Sequence, residues 1–237
     1  MAHKKELKEL ESLLGVTFKN KNLLKTALTH RSYLNESSEN DLKNNERLEF
    51  LGDAVLELIT TEYLYERYPE RPEGELTSFR SALVKTTSLS ETSLDLNIGD
   101  FIMMSRGEEV TGGRTRPYIL ANTFESILGA IYIDQGYDVA KTFVTNKLLP
   151  KTTAIIENRL DIDSKSRLQE LSQEILNFTP VYDLVSSKGP DHDKNFLMAV
   201  KIKGKVFGEG NGKNKQEAEQ NAAKYALDNW EQLISQT

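Results

Sequence analysis

The sequence predicts two domains of different classes: an all-α domain over residues 1–160 and a small α+β domain over residues 161–237. From residue 7 to about residue 160, apolar residues recur three and four positions apart, which is the period of amphipathic helices. After the polar residues 161–164, the segments switch between the helical period and the two-residue period of strands. Because 38% of the 237 residues are hydrophobic, the chain can form a core in each domain.

The first domain is expected to be a bundle around one central helix. This helix spans about residues 44–68 and is ended by Pro69. Because it is apolar on most faces, we expect it to be the buried helix of the bundle, with its acidic residues in an interior cleft. Further helices are predicted over residues 74–84 and 118–136.

The second domain is expected to be an α-β-β-β-α sandwich, because a helix, alternating strands and a helix follow one another within a short stretch. The predicted elements are a helix at 166–176, strands at 181–185, 196–202 and 205–208, and a helix at 215–233.

Composition narrows the classes of function. The chain contains no cysteine, which excludes disulfides, thiolate zinc sites and cysteine nucleophiles and suits a reducing compartment. No secretory signal or membrane span is recognisable, so we expect a soluble cytoplasmic protein. The net charge of -6 argues, taken alone, against nucleic-acid binding. A nuclease whose active site consists of carboxylates would nevertheless be acidic in sequence and less so once it carried metal ions.

Three carboxylates lie in an otherwise apolar part of the central helix. Glu46, Glu49 and Asp53 fall within a stripe about 60° wide at helical spacing. Acidic residues on a helix are usually solvated, but here apolar side chains surround the stripe and Gly52 lets another backbone approach. These apolar residues are Leu48, Phe50, Leu51, Val55 and Leu56. The stripe therefore predicts a site for a hard divalent cation.

A second polar pair, Asn122 and Glu125, shares one face of the helix at 118–136. A cluster of oxygen ligands without histidine or cysteine favours Mg²⁺, or Mn²⁺, over zinc. Asn122 carries no charge, so it predicts weaker metal binding than an aspartate at the same position would give.

Two segments carry a resemblance to a known family. Residues 45–53, NERLEFLGD, resemble the signature of the ribonuclease III family, and residues 121–132, ANTFESILGAIY, resemble its second acidic motif. Supporting segments match in the family's order. They are ALTHRSY at 27–33, EGEL at 73–76, RGEE at 106–109 and GGR at 112–114.

The resemblance implies roles for the acidic residues. Glu49 and Glu125 correspond to the family's metal-binding carboxylates, with Asn122 at a metal-binding position that is often aspartate. Asp53 matches the other essential acid, so Asp53 and Glu125 are the implied catalytic residues. Glu46 and Glu73 match acidic positions nearer the subunit contact, where each has either a site role or a structural role, such as an ion pair with Arg47 or with a partner arginine.

The second domain resembles a double-stranded RNA-binding domain at residues 166–171, 189–194 and 208–220. The resemblance implies minor-groove contacts from one helix and one loop, and phosphate contacts from lysines at the start of the last helix. The implied RNA-binding residues are Gln169, Glu170, Gln173, His192, Lys213 and Lys215. Gln216 stands where the family usually has lysine, which predicts weaker binding with a shallower salt dependence.

Together these resemblances imply a Mg²⁺-dependent homodimeric endoribonuclease, without a small-molecule cofactor, that cuts double-stranded RNA to leave 5′-phosphate and 3′-hydroxyl ends. The implied substrates are precursors of ribosomal, messenger and transfer RNA. The alternative is an RNA-binding protein that kept the fold and lost cleavage, an alternative that Asn122 and the acidic pI near 5.3 keep open.

Two further features have more than one interpretation. For His30 we favour a structural role, in which Thr29, His30 and Ser32 cap neighbouring helix ends, over a role as a general base. Residues 105–117 are predicted to form a flexible cationic loop whose arginines, Arg114 and Arg116, either contact phosphate or lie in solvent.

Overall fold

A computed structural model describes residues 7–37, 41–157, 164–190 and 194–234. The chain divides into two compact units, Met1–Asp161 and Ile162–Thr237. The domain boundary expected near residue 160 and the RNA-binding residue His192 lie outside the described residues. None of the described helices combines the length and the apolar character that crossing a membrane requires.

The first unit is helical, as predicted. Its described residues form no β-strand, and their only β-type pairing is an isolated bridge between Thr29 and Met103. Short 3₁₀ helices connect some of the α-helices. The α-helices are α1 Leu7–Leu14, α2 Lys21–Ala27, α3 Glu46–Arg67, α4 Glu73–Val84, α5 Thr86–Asp95, α6 Arg106–Val110, α7 Pro117–Gln135, α8 Tyr137–Lys147 and α9 Lys151–Glu157.

The two longest helices, α3 and α7, touch through glycine. A Cβ atom on Gly52 would lie 1.8 Å from the carbonyl oxygen of Glu125, and one on Gly129 would lie 2.2 Å from the carbonyl oxygen of Leu48. Only glycine allows such an approach of two backbones. The prediction that Gly52 admits another backbone is confirmed, and that backbone is the turn of α7 that carries Glu125.

The prediction that α3 is buried on most faces is wrong for one face. Leu56 and Ile59 are fully buried, whereas Phe50 is 82% exposed, Tyr65 73% and Leu58 57%. Phe50 therefore does not enclose the carboxylates. Both faces of α3 are apolar in sequence, but α7 and its neighbours cover only one of them, so hydrophobic periodicity alone could not tell which face is packed.

The second unit has the predicted α-β-β-β-α order. Its strands form one antiparallel sheet in the order β1-β2-β3. All three strands are longer than predicted, β2 by a single residue, and the last helix divides at Asn229. The elements are α10 Ser164–Leu176, β1 Val181–Lys188, β2 Asn195–Ile202, β3 Lys205–Gly212, α11 Lys215–Asp228 and α12 Trp230–Ile234.

Strand β3 continues through the glycine-rich residues 208–212, beyond its predicted end at residue 208. Cβ atoms on Gly208, Gly210 and Gly212 would each lie 2.6 Å or less from a backbone atom of α11. Alternate glycines thus let α11 pack directly on the strand, against the buried alanines Ala218 and Ala222.

Candidate active site

Glu49 and Asn122 line one cleft of about 350 Å³ in the helical unit. The first turn of α3 contributes Glu49 to this cleft, and the first part of α7 contributes Asn122, because the two helices cross at their glycines. The remaining lining residues come from the same two helices, from the residue that caps α3, and from the start of the first 3₁₀ helix with the residue that caps it. They are His30, Arg31, Asn45, Glu46, Tyr118 and Ile119.

Glu49 is half-buried and accepts a hydrogen bond from the side-chain amide of Asn122. Burial raises the pKa of Glu49 above its ordinary value of 4.5, the hydrogen bond from Asn122 opposes this shift, and the charges of Glu46 and Asp53 add to it. Glu49 therefore lies where a positive charge would be favourable.

Glu125 is the most strongly perturbed carboxyl group of the site. Burial raises its pKa to about 8, and the charges of Asp53 and Glu49 contribute to the shift. Among the described residues, no lysine or arginine forms an ion pair with Glu49, Asp53 or Glu125. The three carboxyl groups thus interact with one another without a cationic side chain from the described part of the chain.

The carboxyl groups of Glu49, Asp53 and Glu125 are of the ligand type that suits a hard divalent cation. Carboxylates that are partly buried, repel one another and lack a cationic partner are stabilised when such an ion binds. Within the described parts of the chain, however, no three histidine or acidic side chains are close enough together to form a complete metal site by themselves. A cation here would require some rearrangement or additional ligands such as water or RNA phosphate.

Asn122 lies beside Glu49 as the sequence predicted, but its amide nitrogen faces the carboxylate, because only the nitrogen can donate the hydrogen bond. Its amide oxygen is then directed away from Glu49. Metal binding through Asn122 would need the amide oxygen to face the ion.

The supporting acids Glu46 and Glu73 lie at different places. Glu46 is exposed and lies 3.9 Å from Arg31 rather than in an ion pair with Arg47, and an ion pair with a partner arginine stays a prediction. Glu73 begins α4, accepts a 2.9 Å hydrogen bond from Thr77 and lines a separate cleft. It is not part of the cleft around Glu49.

The prediction of a flexible cationic loop at residues 105–117 is wrong. The segment contains α6 and a 3₁₀ helix, Gly113–Thr115. Arg114 donates to Glu109 at 2.8 Å and to the carbonyl of Gly99 at 2.8 Å, and Arg116 pairs with Glu108. Glu108 and Glu109 were the signal in the sequence, since they can neutralise both arginines.

His30 has the structural role that the sequence favoured. It caps the 3₁₀ helix Arg31–Asn35, with its Nδ1 accepting a hydrogen bond from the backbone N–H of Ser32. It also lines the cleft of Glu49, which the sequence did not indicate.

In the second unit, the side chains expected to bind RNA are accessible where the structure describes them. Gln169, Glu170 and Gln173 are exposed on α10, while Lys213 and Lys215 are exposed at the start of α11. Asn214 caps α11 by accepting from the backbone N–H of Glu217, and the Glu217 carboxylate accepts from the backbone N–H of Lys213 at 2.8 Å. These two hydrogen bonds hold the lysine-bearing turn in place.

Each of the two units matches the model of a known family. Residues 20–152 match the model described as Ribonuclease-III-like, and residues 164–229 match the Double-stranded RNA binding motif. The chain belongs to the ribonuclease III family. Its helical unit is the nuclease domain of that family, and its second unit is the RNA-binding domain.

Sequence similarity to two Ribonuclease 3 proteins covers nearly the whole chain. Ribonuclease 3 of Desulforamulus reducens is 47% identical over 222 residues, which cover 94% of this chain and 90% of that protein. Ribonuclease 3 of Oceanobacillus iheyensis is 46% identical and covers 94% of this chain and 97% of that protein. The nuclease domain of Ribonuclease III from Campylobacter jejuni, described with a region involved in dimer formation, superposes with a TM-score of 0.57 at 43% identity and covers 61% of this chain and 97% of that one.

Proposed function

We propose that this ribonuclease III family member hydrolyses double-stranded RNA at a divalent-cation site formed by Glu49, Asp53 and Glu125, with Asn122 beside them. Endonucleolytic cleavage of double-stranded RNA is the activity of the family. The single observation that carries the site assignment is the crossing of α3 and α7 at Gly52 and Gly129, which brings carboxyl groups from two helices into mutual repulsion.

The chemistry follows from charge. A bound Mg²⁺ or Mn²⁺ ion supplies Lewis acidity, which activates water and stabilises the oxygen that leaves the phosphorus. Glu49 and Glu125 would hold the ion, and Asn122 would contribute its amide oxygen after turning. Asp53, which is exposed, would accept a hydrogen bond from the attacking water and so orient it. Attack by water with departure of the 3′ oxygen leaves a 5′-phosphate and a 3′-hydroxyl.

The second unit would hold the duplex by its shape. The exposed Gln169, Glu170 and Gln173 on α10, together with His192, fit contacts with 2′-hydroxyl groups in the minor groove. The exposed lysines at the start of α11 fit phosphate contacts, where the positive end of the helix dipole adds to their charge.

The active form would be a homodimer acting on cytoplasmic precursors of ribosomal, messenger and transfer RNA. Two sites related by a twofold axis suit the two antiparallel strands of a duplex. The exposed apolar residues Phe50, Leu58 and Tyr65 on α3 support an interface between copies of the chain. Glu73 shares a cleft with Tyr65 and would lie near that interface.

Incubation of the purified chain with a long RNA duplex tests this function. We expect cleavage with Mg²⁺, none with chelator, and at least a 100-fold slower reaction for Glu125→Gln. Glu91→Gln, which changes an exposed acid beside Lys151, is the matched control and should cut normally. If the RNA stays intact with and without Mg²⁺, the chain is an RNA-binding protein that lost cleavage, an outcome that the amide of Asn122 in place of a carboxylate would explain. Normal cutting by Glu125→Gln would contradict the site assignment.

A further inference from the structure

The cleft that contains Glu49 and Asn122 has a second wall made of hydrogen-bond donors. His30, Arg31 and Tyr118 line this wall, and none of them belongs to the carboxylate cluster. In a cleft of about 350 Å³, a group bound at this wall would be a close neighbour of a group bound at Glu49.

The hydrogen bonds around His30 determine which ring nitrogen carries the proton. Nδ1 accepts from the backbone N–H of Ser32 at 3.3 Å and lies 2.8 Å from the Ser32 hydroxyl. That hydroxyl oxygen already accepts from the backbone N–H of Ser105 at 3.0 Å, so its own hydrogen is available for Nδ1. With two donors directed at Nδ1, the proton lies on Nε2.

His30 therefore offers the cleft a fixed N–H donor. Burial lowers the pKa of His30 below its ordinary value of 6.5, although Glu108 opposes the shift, so the ring is neutral at pH 7. Because Nδ1 is engaged within its own turn, Nε2–H is the ring's remaining polar group for a ligand.

Tyr118 is oriented in a similar way by Arg116. The guanidinium donates to the Tyr118 hydroxyl oxygen at 3.3 Å and lies over the ring at 5.8 Å. The hydroxyl hydrogen is consequently free to point into the cleft, and Tyr118 is half exposed. Arg31, whose guanidinium is 3.9 Å from Glu46 and largely exposed, adds positive charge at the same wall.

We propose that His30 and Tyr118 bind, through Nε2–H and Oη–H, a phosphate group of the RNA strand adjacent to the phosphate that is cleaved. The proposal rests on the proposed function. A phosphate offers only acceptors, which matches a wall of donors with Arg31 beside it. Binding there would hold the strand in register with Glu49 and Glu125.

Three synthetic RNA duplexes with one cleavage site test the proposal. One is unmodified, one has a single neutral methylphosphonate linkage beside the scissile bond, and one has a single 2′-deoxynucleotide there. The measurements are kcat/KM with Mg²⁺ and duplex affinity in chelator. The short amide of His30→Asn can accept from Ser32 at the position of Nδ1 but does not reach the position of Nε2. The longer amide of His30→Gln can place a donor near the position of Nε2 but leaves Ser32 without its acceptor. Tyr132→Phe on the same helix is the matched control for Tyr118→Phe.

On the unmodified duplex, we expect His30→Asn and Tyr118→Phe each to lower kcat/KM about tenfold. His30→Gln should lose less than His30→Asn because it restores a donor, and the control Tyr132→Phe should stay near the wild type. The methylphosphonate should slow the wild type by a similar factor and slow His30→Asn and Tyr118→Phe little further, because the contact is already lost. The 2′-deoxynucleotide should affect all proteins equally.

Three results would overturn the proposal: wild-type rates for His30→Asn and Tyr118→Phe, full additivity of variant and methylphosphonate, or loss of additivity with the 2′-deoxynucleotide instead. If His30→Asn does not fold, the rates of Tyr118→Phe and His30→Gln decide between these outcomes. If the wild type cuts no duplex, the proposed function fails, and the same pattern of losses in duplex affinity still tests the phosphate subsite.

Discussion

Glycine brings two backbones into contact in both units, but the side chains beside the two contacts differ in kind. Around Gly52 and Gly129 lie carboxyl groups whose pKa values are raised by burial and by one another. Around Gly210, buried alanines fill the contact, and the side chains of Asn214 and Glu217 accept hydrogen bonds from backbone N–H groups at the start of α11. The first contact assembles carboxyl groups that a cation would stabilise, whereas the second supports an exposed lysine-bearing turn that suits an anion.

The largest effect is expected from Gly52→Ala. Its Cβ would lie 1.8 Å from the carbonyl oxygen of Glu125, so α3 and α7 must separate. We expect a loss of about 3 kcal/mol or more in the unfolding free energy of the helical unit, and loss of cleavage. Thermal unfolding and a cleavage assay measure this. Gly74→Ala, in the first turn of α4 with open space around it, should be neutral or stabilising. An unchanged melting temperature for Gly52→Ala would disprove the tight crossing.

Gly210→Ala should affect the other unit. Its Cβ would lie 2.2 Å from the backbone nitrogen of Ala222, and we expect the RNA-binding unit to lose about 2 kcal/mol of stability. Duplex affinity should fall, while kcat at saturating RNA should remain. The exposed neighbour Asn211→Ala is the control. A fall in kcat with unchanged affinity would contradict the division of roles between the units.

Asn122→Asp tests the carboxyl groups at the contact of α3 and α7. It removes the amide that donates to Glu49 and adds a carboxylate, so the metal-free protein should lose about 1 kcal/mol of stability. Because the new ligand is charged, the Mg²⁺ concentration for half-maximal cleavage should fall about fivefold. A Mg²⁺ titration of the cleavage rate tests this, with the exposed Asn146→Asp as control. A marked loss of activity at limiting Mg²⁺ would mean that the amide has a specific role.

The smallest effect is expected from Gln216→Lys, which tests phosphate binding at the start of α11. Gln216 is exposed at the start of α11 beside Lys215, so a lysine there should add about one phosphate contact. The slope of log affinity against log salt should steepen by about 0.9. Asn146→Lys adds the same charge to the helical unit and should leave the slope unchanged. Equal slopes for Gln216→Lys and wild type would argue against a phosphate contact at this turn.

Much of the fold was predictable because its signals are local. The 3.6-residue period gave α3 and α7 within two residues of their bounds, and the family motifs within them named Glu49, Asp53 and Glu125. The close approach of another backbone at Gly52 also followed from a local signal, a glycine inside an apolar helix, but the sequence did not indicate that this backbone belongs to α7.

The remaining features depend on contacts between distant residues. The exposure of Phe50, the ordered packing of Arg114 and the passage of β3 through Gly210 each depend on which element lies opposite, and periodicity does not contain that information. The direction of the Asn122 amide likewise follows from its hydrogen bond to Glu49. The sequence also did not indicate that His30 and Tyr118 line one cleft, because this depends on how distant segments pack.

We expect the crossing of α3 and α7 to hold carboxyl groups together at a free-energy cost that a bound cation would relieve. The unfolding free energy of wild type and Glu125→Gln, measured without metal between pH 4.5 and pH 8, tests it most directly. The pKa of Glu125 is raised to about 8 in the folded chain from an ordinary 4.5, so its contribution to stability is present below pH 4.5 and is lost as pH rises toward 8.

Glutamine does not titrate, so Glu125→Gln should become more stable than the wild type as pH rises, by about 2 kcal/mol at pH 8 after allowance for partial solvent screening. Added Mg²⁺ should stabilise the wild type and reduce this difference. A Glu125→Gln protein that is equally or less stable than the wild type at pH 8 without metal would contradict the account.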